Sequence, residues 1–403
     1  MTKLCRMIRA ALLLTLAMTS AAFAGDTSGS DSSVATIANA TGAPVRLMAV
    51  YEGRGPSANP EIAEGAIAAA KALNASGGIR GRPVQIIRCD TKNDPNVATE
   101  CGRKAVSTGV VAMVGNLTIY GNRFMPLMAR RKIPSIGLEP ATAADFTSPA
   151  SFPVGGGAPV QFAGLGAALA QAGAKKIVLA RLDIPEAAAV AQFVNVGLKR
   201  FHLTMRDVPV PVGAPDMAPY AAAALQSGTD GIIVTQAAQD AVNFVQAVRQ
   251  VDPKVKIAMN VTSQDQVNRA LGSDADGIIE NAASTIALKN AAEKQYEKDM
   301  KAAGYRDLTS YRLPAYIAVR LVQKIAKGLP RVTAPAVFNA LQRARNLETG
   351  FTPPLQFTKG GVAGLPRVFN PCLFNVRIKS GKPVPITGKF ENAFTGKQCP
   401  TPK

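Results

Sequence analysis

Two arginines stand where they could bind an acidic group. Arg54 follows the first predicted strand, and Arg181 follows a strand in the middle of the chain. A guanidinium is planar and can hold a carboxylate through two parallel hydrogen bonds, so either side chain could bind a small organic acid. The alternative is that both are solvated surface residues, since the chain has 46 lysines and arginines.

Small polar side chains also follow predicted strands. They are Ser57, Asn59, Thr118 and Thr142. An open α/β sheet binds its ligand beyond the carboxyl ends of its strands, where the first turn of a helix offers free N–H groups to an anion. These residues are therefore candidates for a ligand site. Helix capping is the alternative role for all four.

One motif suggests a nucleotide cofactor. Gly53-x-Gly55-x-x-Ala58 follows the first strand, and Asp90 ends the second, which approaches a dinucleotide-binding fingerprint. The helix begins only near Pro60, however, past the point where a pyrophosphate should meet its N-terminus. We therefore predict no nucleotide cofactor.

No combination of residues in the sequence predicts catalysis or metal binding. The single histidine, His202, cannot by itself form a Ser-His pair or a His-metal site. The sequence contains neither Gly-x-Ser-x-Gly nor Cys-x-x-Cys. We therefore predict a protein that is not an enzyme and that uses no cofactor and no metal.

The N-terminus predicts export. Lys3, Arg6 and Arg9 precede a short apolar run, and Ala22-Phe23-Ala24 supplies the small residues of a cleavage site. Residues 1–24 are thus a predicted signal peptide, and residues 25–43 a flexible leader rich in small polar residues. No later segment offers the roughly 20 apolar residues of a membrane span. We expect a periplasmic protein.

The strong positive charge does not identify a partner. The formal charge is +19, but lysines and arginines are scattered along the chain. Scattered charges favour a solvated surface. Aromatic residues make up 5% and tryptophan is absent, which leaves little material for stacking on bases. We therefore predict no nucleic-acid partner.

Four cysteines remain after the predicted signal peptide: Cys89, Cys101, Cys372 and Cys399. An even number in an oxidising compartment usually pairs. Three connectivities are possible. We favour Cys89 with Cys101 and Cys372 with Cys399; free buried thiols are the alternative.

Residues 45–90 predict one complete strand, helix and strand unit. Residues 45–50 form an apolar run typical of a buried parallel strand, and a helix follows from Pro60 to about Asn74. Gly77-Gly78 ends the helix before the second strand at 84–87. A parallel pair joined in this way has a right-handed crossover.

The same alternation continues in two series, which predicts an α/β protein with two lobes. Chain passages between the lobes are predicted at 151–157, 282–289 and 351–354. The fold class is therefore two doubly wound α/β lobes joined by three crossing segments. The predicted lobes are 44–154 plus 288–352, and 155–287 plus 353–403.

Several short motifs resemble one protein family. Ala75-Ser76-Gly77-Gly78-Ile79-Arg80-Gly81, Asp94-Pro95 and Ile133-Pro134, in this order of elements, resemble the branched-chain-amino-acid type of periplasmic substrate-binding protein. The resemblance spans roughly residues 45–380. It implies two lobes that close on a small ligand and present it to the membrane permease of an ABC importer. It also implies a monomer.

The resemblance also implies ligand-binding positions. In the first lobe, Thr142 matches directly, with Ala141 beside it in the corresponding stretch, and Thr118 or Tyr120 substitutes for an expected serine. In the second lobe, Gln236 and Thr262 stand where amino-acid binders offer a tyrosine and an acid. The implied ligand is a small amino-acid-like molecule or carboxylate. The alternatives are a sensor of the same fold and a periplasmic enzyme.

Overall fold

A computed structural model describes residues 40–55, 58–261, 264–285, 288–306, 308, 311–361 and 364–403. The predicted signal peptide, the leader as far as residue 39, and the candidates Ser57 and Thr262 lie outside these ranges.

The strands form two separate sheets. The first has the order β2-β1-β3-β4-β5 and is wholly parallel. The second has the order β12-β11-β10-β9-β8-β6-β7, with antiparallel pairing only at β10-β11 and β11-β12. The strands are β1 Val45–Tyr51, β2 Val84–Asp90, β3 Ala112–Val114, β4 Ser135–Ile136, β5 Ser151–Phe152, β6 Ile177–Leu182, β7 Met205–Val210, β8 Gly231–Thr235, β9 Lys256–Met259, β10 Ile279–Ala282, β11 Cys372–Lys379 and β12 Lys382–Asn392.

Helices flank both sheets. The helices α1 to α4 and α11 to α13 accompany the first sheet, and α5 to α10 accompany the second. They are α1 Glu61–Ala75, α2 Pro95–Ser107, α3 Gly121–Arg131, α4 Ala143–Thr147, α5 Gly157–Gln171, α6 Pro185–Ala188, α7 Val190–Leu198, α8 Ala218–Leu225, α9 Ala238–Val251, α10 Gln264–Leu271, α11 Ala291–Ala302, α12 Arg312–Ala326 and α13 Ala334–Gln342. The predicted fold class is confirmed.

The predicted first unit is also present. β1 and β2 pair in parallel register from Val45 opposite Val84, and α1 connects them. Gly77 and Gly78 end α1 with φ of 91° and 72°, a conformation that glycine adopts without strain. The helix start differs from the prediction, because Pro60 rather than Asn59 is the N-cap residue.

The helix α12 packs closely on the carboxyl ends of two strands in the first sheet. Gly137 has φ of 66°, and a Cβ there would lie 2.8 Å from the Cβ of Ala318. A Cβ on Gly115 would overlap Ala315. The chain after β3 and β4 can therefore approach α12 only because these positions are glycines.

The third passage between the sheets lies later than predicted. Phe357 packs edge-on against Phe152 and Phe369, with ring centroids 5.3 and 5.2 Å apart. These aromatic contacts keep the chain with the first core beyond the predicted change at residue 353. The chain joins the second sheet only at Cys372, where β11 begins.

Both predicted disulfides are confirmed. Cys89 at the end of β2 is bonded to Cys101 in α2. Cys372 at the start of β11 is bonded to Cys399, which ties the tail to the edge of the second sheet. Across the part of the chain that the structure describes, no helix combines the length and the apolar character needed to cross a membrane.

Candidate functional site

The candidate site is formed by the loops at the carboxyl ends of the parallel strands. In the first sheet these loops follow β1, β3 and β4, and in the second they follow β6, β8 and β9. The start of α5 lies at the same edge of the second sheet, since the Gln161 carbonyl accepts a 2.9 Å bond from Asn281 Nδ2 in β10. Ligands of open α/β sheets bind at this edge.

A buried carboxylate organises the first of these loops. Glu52 follows β1 and has no exposed surface. It accepts hydrogen bonds from Thr118 Oγ1 (2.6 Å), Ile119 N (3.2 Å) and Asn59 Nδ2 (3.4 Å). Burial raises the pKa of Glu52, and the bonds from Thr118, Ile119 and Asn59 oppose that rise. Asn59 thus orders this loop rather than capping α1.

Thr118 and Tyr120 are engaged within the same region. Thr118 Oγ1 donates to Glu52 and accepts from Tyr120 N at 3.0 Å. The Tyr120 hydroxyl lies 3.0 Å from the carbonyl of Asn93, to which it donates. A hydroxyl has only one hydrogen. In this arrangement Thr118 can therefore meet a ligand only as an acceptor.

Thr142 is held in a comparable way. Its hydroxyl and its backbone N–H both donate to Asp145 Oδ2 at 2.8 Å, and Ala141 N donates to the same oxygen at 3.2 Å. Burial raises the pKa of Asp145, while the bonds from Thr142 and Ala141 lower it. Thr142 also occupies the N-cap position of α4. Its remaining capacity toward a ligand is again that of an acceptor.

The two candidate arginines differ in their surroundings. Arg54 is exposed in the loop after β1. Arg181 is buried, and its Nε and Nη2 donate to both carboxylate oxygens of Asp207 in β7 at 2.8 to 3.1 Å. Its Nη1 donates to the carbonyl of Leu182 at 2.9 Å. The cross-strand pair with Asp207 thus occupies the guanidinium fork that could have held a ligand carboxylate.

Gln236 has a buried amide without a partner. It follows β8, an interior strand of the second sheet, and only 4% of its surface is exposed. Neither its Oε1 nor its Nε2 makes a hydrogen bond to any described residue. Leaving such groups unbonded costs roughly 1 to 3 kcal/mol each. A group with this cost at the carboxyl end of a central strand is typical of a ligand site.

Two further acids are half-buried, one after β4 and the other within β10. Glu139 follows β4, and its Oε1 accepts a 3.1 Å bond from Gln161 Nε2 in α5. Burial raises the pKa of Glu139 to about 7. Glu280 in β10 accepts bonds from Gln264 Nε2 (2.9 Å) and Asn268 Nδ2 (2.6 Å). Its pKa is also raised to about 7, first by burial and further by the charge of Asp265.

Comparison with protein families identifies the kind of molecule to which this site belongs. A family model described as periplasmic binding protein matches residues 44–382. This chain belongs to the periplasmic binding protein family. The predicted relationship is thereby confirmed. Among curated proteins, none matches the sequence significantly.

Solved periplasmic binding proteins share the fold at low identity. A fatty acid ABC transporter substrate-binding protein from Thermomonospora curvata superposes with a TM-score of 0.74 at 16% identity, covering 91% of this chain and 98% of that one. A branched-chain amino acid transporter substrate-binding protein from Streptococcus pneumoniae, in complex with isoleucine, gives 0.68 at 17%, covering 85% and 98%. An ABC transporter solute-binding protein from R. palustris, in complex with 4-hydroxybenzoate, gives 0.69 at 16%, covering 85% and 95%. Identities this low show the fold alone.

Sequence reasoning missed the acids of this periplasmic binding protein. The sequence patterns predict no site role for Glu52, Glu139 or Asp145. The available signal is their position, since Glu52 directly follows β1 and Glu139 comes three residues after the end of β4. A carboxylate at the end of a buried strand must find donors or a ligand, because burial without either is costly.

Proposed function

We propose that this protein is an extracytoplasmic solute-binding protein that captures a small amino-acid-like or carboxylate solute between its two lobes. It delivers that solute to the permease subunits of an ABC importer and performs no chemistry on it. Export through a cleaved signal peptide and action as a monomer in the periplasm are parts of the same proposal.

The observation that carries the proposal is the amide of Gln236, which has no hydrogen-bond partner among the described residues. Its two polar atoms are buried at the carboxyl end of the second sheet, while Thr118 and Thr142 lie at the corresponding edge of the first. A solute that contacts both sets of groups stabilises the closed arrangement of the lobes, because only that arrangement offers both. Membership of the periplasmic binding protein family supports the same mode of action.

A thermal-shift screen of amino acids, aromatic acids and dicarboxylates tests the proposal, followed by calorimetry on the best compound. We expect binding without turnover, and compaction of the protein in small-angle scattering. A wild-type protein that binds none of these compounds, or one that chemically converts the bound compound, would contradict the proposal.

A matched pair of variants tests the site itself. Gln236→Met removes the buried amide at similar volume, and Gln239→Met makes the same change at an exposed position in α9. Each hydrogen bond lost contributes roughly 0.5 to 1.5 kcal/mol, so we expect Gln236→Met to weaken binding about tenfold. Gln239→Met should leave affinity unchanged.

A further inference from the structure

Three acids in the segments after the strands of the first lobe differ in how fully they are hydrogen-bonded. Glu52 accepts bonds from three residues, and Asp145 accepts three bonds from Ala141 and Thr142. Both are almost completely buried. Glu139 accepts one bond, from Gln161, and retains some exposed surface. It is therefore the acid of this group with unused capacity to accept hydrogen bonds.

The position of Glu139 places that capacity beside the ligand loops. Its backbone N–H donates to the Asn116 carbonyl at 3.0 Å, which joins the loop after β4 to the loop after β3. A Cβ on Gly155 would lie 3.4 Å from Glu139 Oε2 and 2.7 Å from the Cβ of Ala283. The acid therefore faces two of the passages between the lobes, and its bond to Gln161 reaches the second lobe.

The charge of Glu139 is not balanced by any described residue. No ion pair involves it, and Oε2 accepts no hydrogen bond within the residue ranges that the structure describes. Burial is the cause of its raised pKa. In a chain with 46 basic side chains, an inward-facing acid without a cation indicates that a cationic or N–H-donating group comes from elsewhere.

We propose that Glu139 recognises a nitrogen of the bound solute, either an ammonium group or another N–H donor. The inference rests on the proposed solute-binding function and narrows its ligand class. Thr118 and Thr142 agree with it, because both hydroxyls already donate to internal carboxylates and can only accept from a ligand. A ligand carboxylate placed beside Glu139 would instead be repelled.

Calorimetry with matched probes tests this assignment. The pairs are L-leucine with 4-methylpentanoate, 4-aminobutyrate with butyrate, and benzylamine with benzoate, so each pair differs in the nitrogen. We expect wild-type protein to bind at least one nitrogen-bearing member and to bind its partner at least tenfold more weakly. Glu139→Gln should weaken that binding about 10- to 100-fold, as expected for loss of a charged hydrogen bond.

Glu280→Gln is the matched control, since it makes the same change in an acid of the second lobe with two amide donors. It should alter affinity less than threefold. For wild type, affinity for the ammonium probe should fall about tenfold from pH 8 to pH 6 as Glu139 gains a proton, and the Glu139→Gln variant should lose this dependence.

Several results would overturn the assignment while leaving solute binding intact. These are a preference for the nitrogen-free members, full affinity in Glu139→Gln, or a loss seen in Glu280→Gln alone. The assignment of Glu139 would also be refuted if wild-type protein bound none of the six probes but bound a compound without N–H groups in the broader screen. Failure of that whole screen would instead refute the proposed function.

Discussion

The pH dependence of folding stability provides a direct test of the two half-buried acids. The pKa values of Glu139 and Glu280 are about 7 in the folded protein, against an ordinary value of 4.5. The perturbations are Glu139→Gln and Glu280→Gln, alone and combined. Each replaces an ionisable group by an amide of the same shape, so the comparison isolates the cost of ionisation.

The expected magnitude follows from that difference in pKa. An acid with a raised folded pKa holds its proton in the folded state after the unfolded chain has lost it. Stability is therefore greatest below pH 4.5, falls as pH rises to about 7, and is level above that. A shift from 4.5 to about 7 corresponds to roughly 3 kcal/mol for each acid, and partial exposure reduces this to about 2 kcal/mol.

Urea unfolding at pH 5, 6, 7 and 8 measures the effect. Far-UV circular dichroism is the suitable signal, because the chain has no tryptophan. We expect the free energy of unfolding of wild type to decrease from pH 5 to pH 8. In each Gln variant this decrease should be smaller by about 2 kcal/mol, and in the double variant the two reductions should add. Gln161→Ala is the control, since it keeps the acid and removes only a donor to its carboxylate. Loss of that donor does not favour ionisation, so the fall in stability with pH should be at least as large as in wild type.

Parallel curves for wild type and both variants would refute the reasoning. They would mean that neither carboxyl group is desolvated enough to favour its protonated form. A variant curve steeper than that of wild type would refute the sign of the effect.

Three further predictions concern internal contacts. Thr118→Val removes a donor to buried Glu52 and should cost about 1.5 to 3 kcal/mol in urea unfolding, whereas Thr147→Val at an exposed position should cost less than 0.5. Arg181→Met should destabilise the fold by about 1 to 2 kcal/mol yet change affinity for the best screened solute less than twofold, because its guanidinium is already paired. Opening Cys372–Cys399, which spans 27 residues, should lower the melting temperature more than opening Cys89–Cys101, which spans 12, by the equivalent of roughly 0.7 kcal/mol.

The features that the sequence predicted well depend on local signals. The unit from Val45 to Asp90 is specified by an apolar run, a helix start at proline and a glycine stop, all within one stretch. The disulfide prediction rests on Cys89–Cys101 joining a strand end to the next helix and on Cys372–Cys399 fixing the tail. Such signals need no knowledge of distant contacts.

The features that the sequence predicted poorly depend on contacts between residues far apart in the chain. The sequence predicts a passage between lobes at 151–157, whereas Ser151 and Phe152 pair with β4. Phe152 also packs against Phe357, about two hundred residues later. Arg181 was read as a possible ligand residue, but its partner lies on the neighbouring strand β7. Neither the pairing of β4 with β5 nor that of Arg181 with Asp207 can be predicted from the local pattern of apolar and polar residues.

The hydrogen-bond inventory of the site also explains why a motif match at Thr142 does not determine what binds there. The residue type and its loop match, yet Asp145 takes its only hydroxyl hydrogen. In the same way Glu52 takes the hydrogen of Thr118. Two donors expected for a ligand carboxylate therefore become acceptors through acids that the motif does not include. Among the described side chains at the two strand edges, those of Gln236 and Glu139 have polar atoms that make no hydrogen bond within the protein. Gln236 follows a strand of the second sheet and Glu139 a strand of the first, so a solute that hydrogen-bonds to both residues must bridge the two sheets. The hydrogen bonds that these two residues lack, and not the matched Thr142, therefore determine the chemistry of the solute.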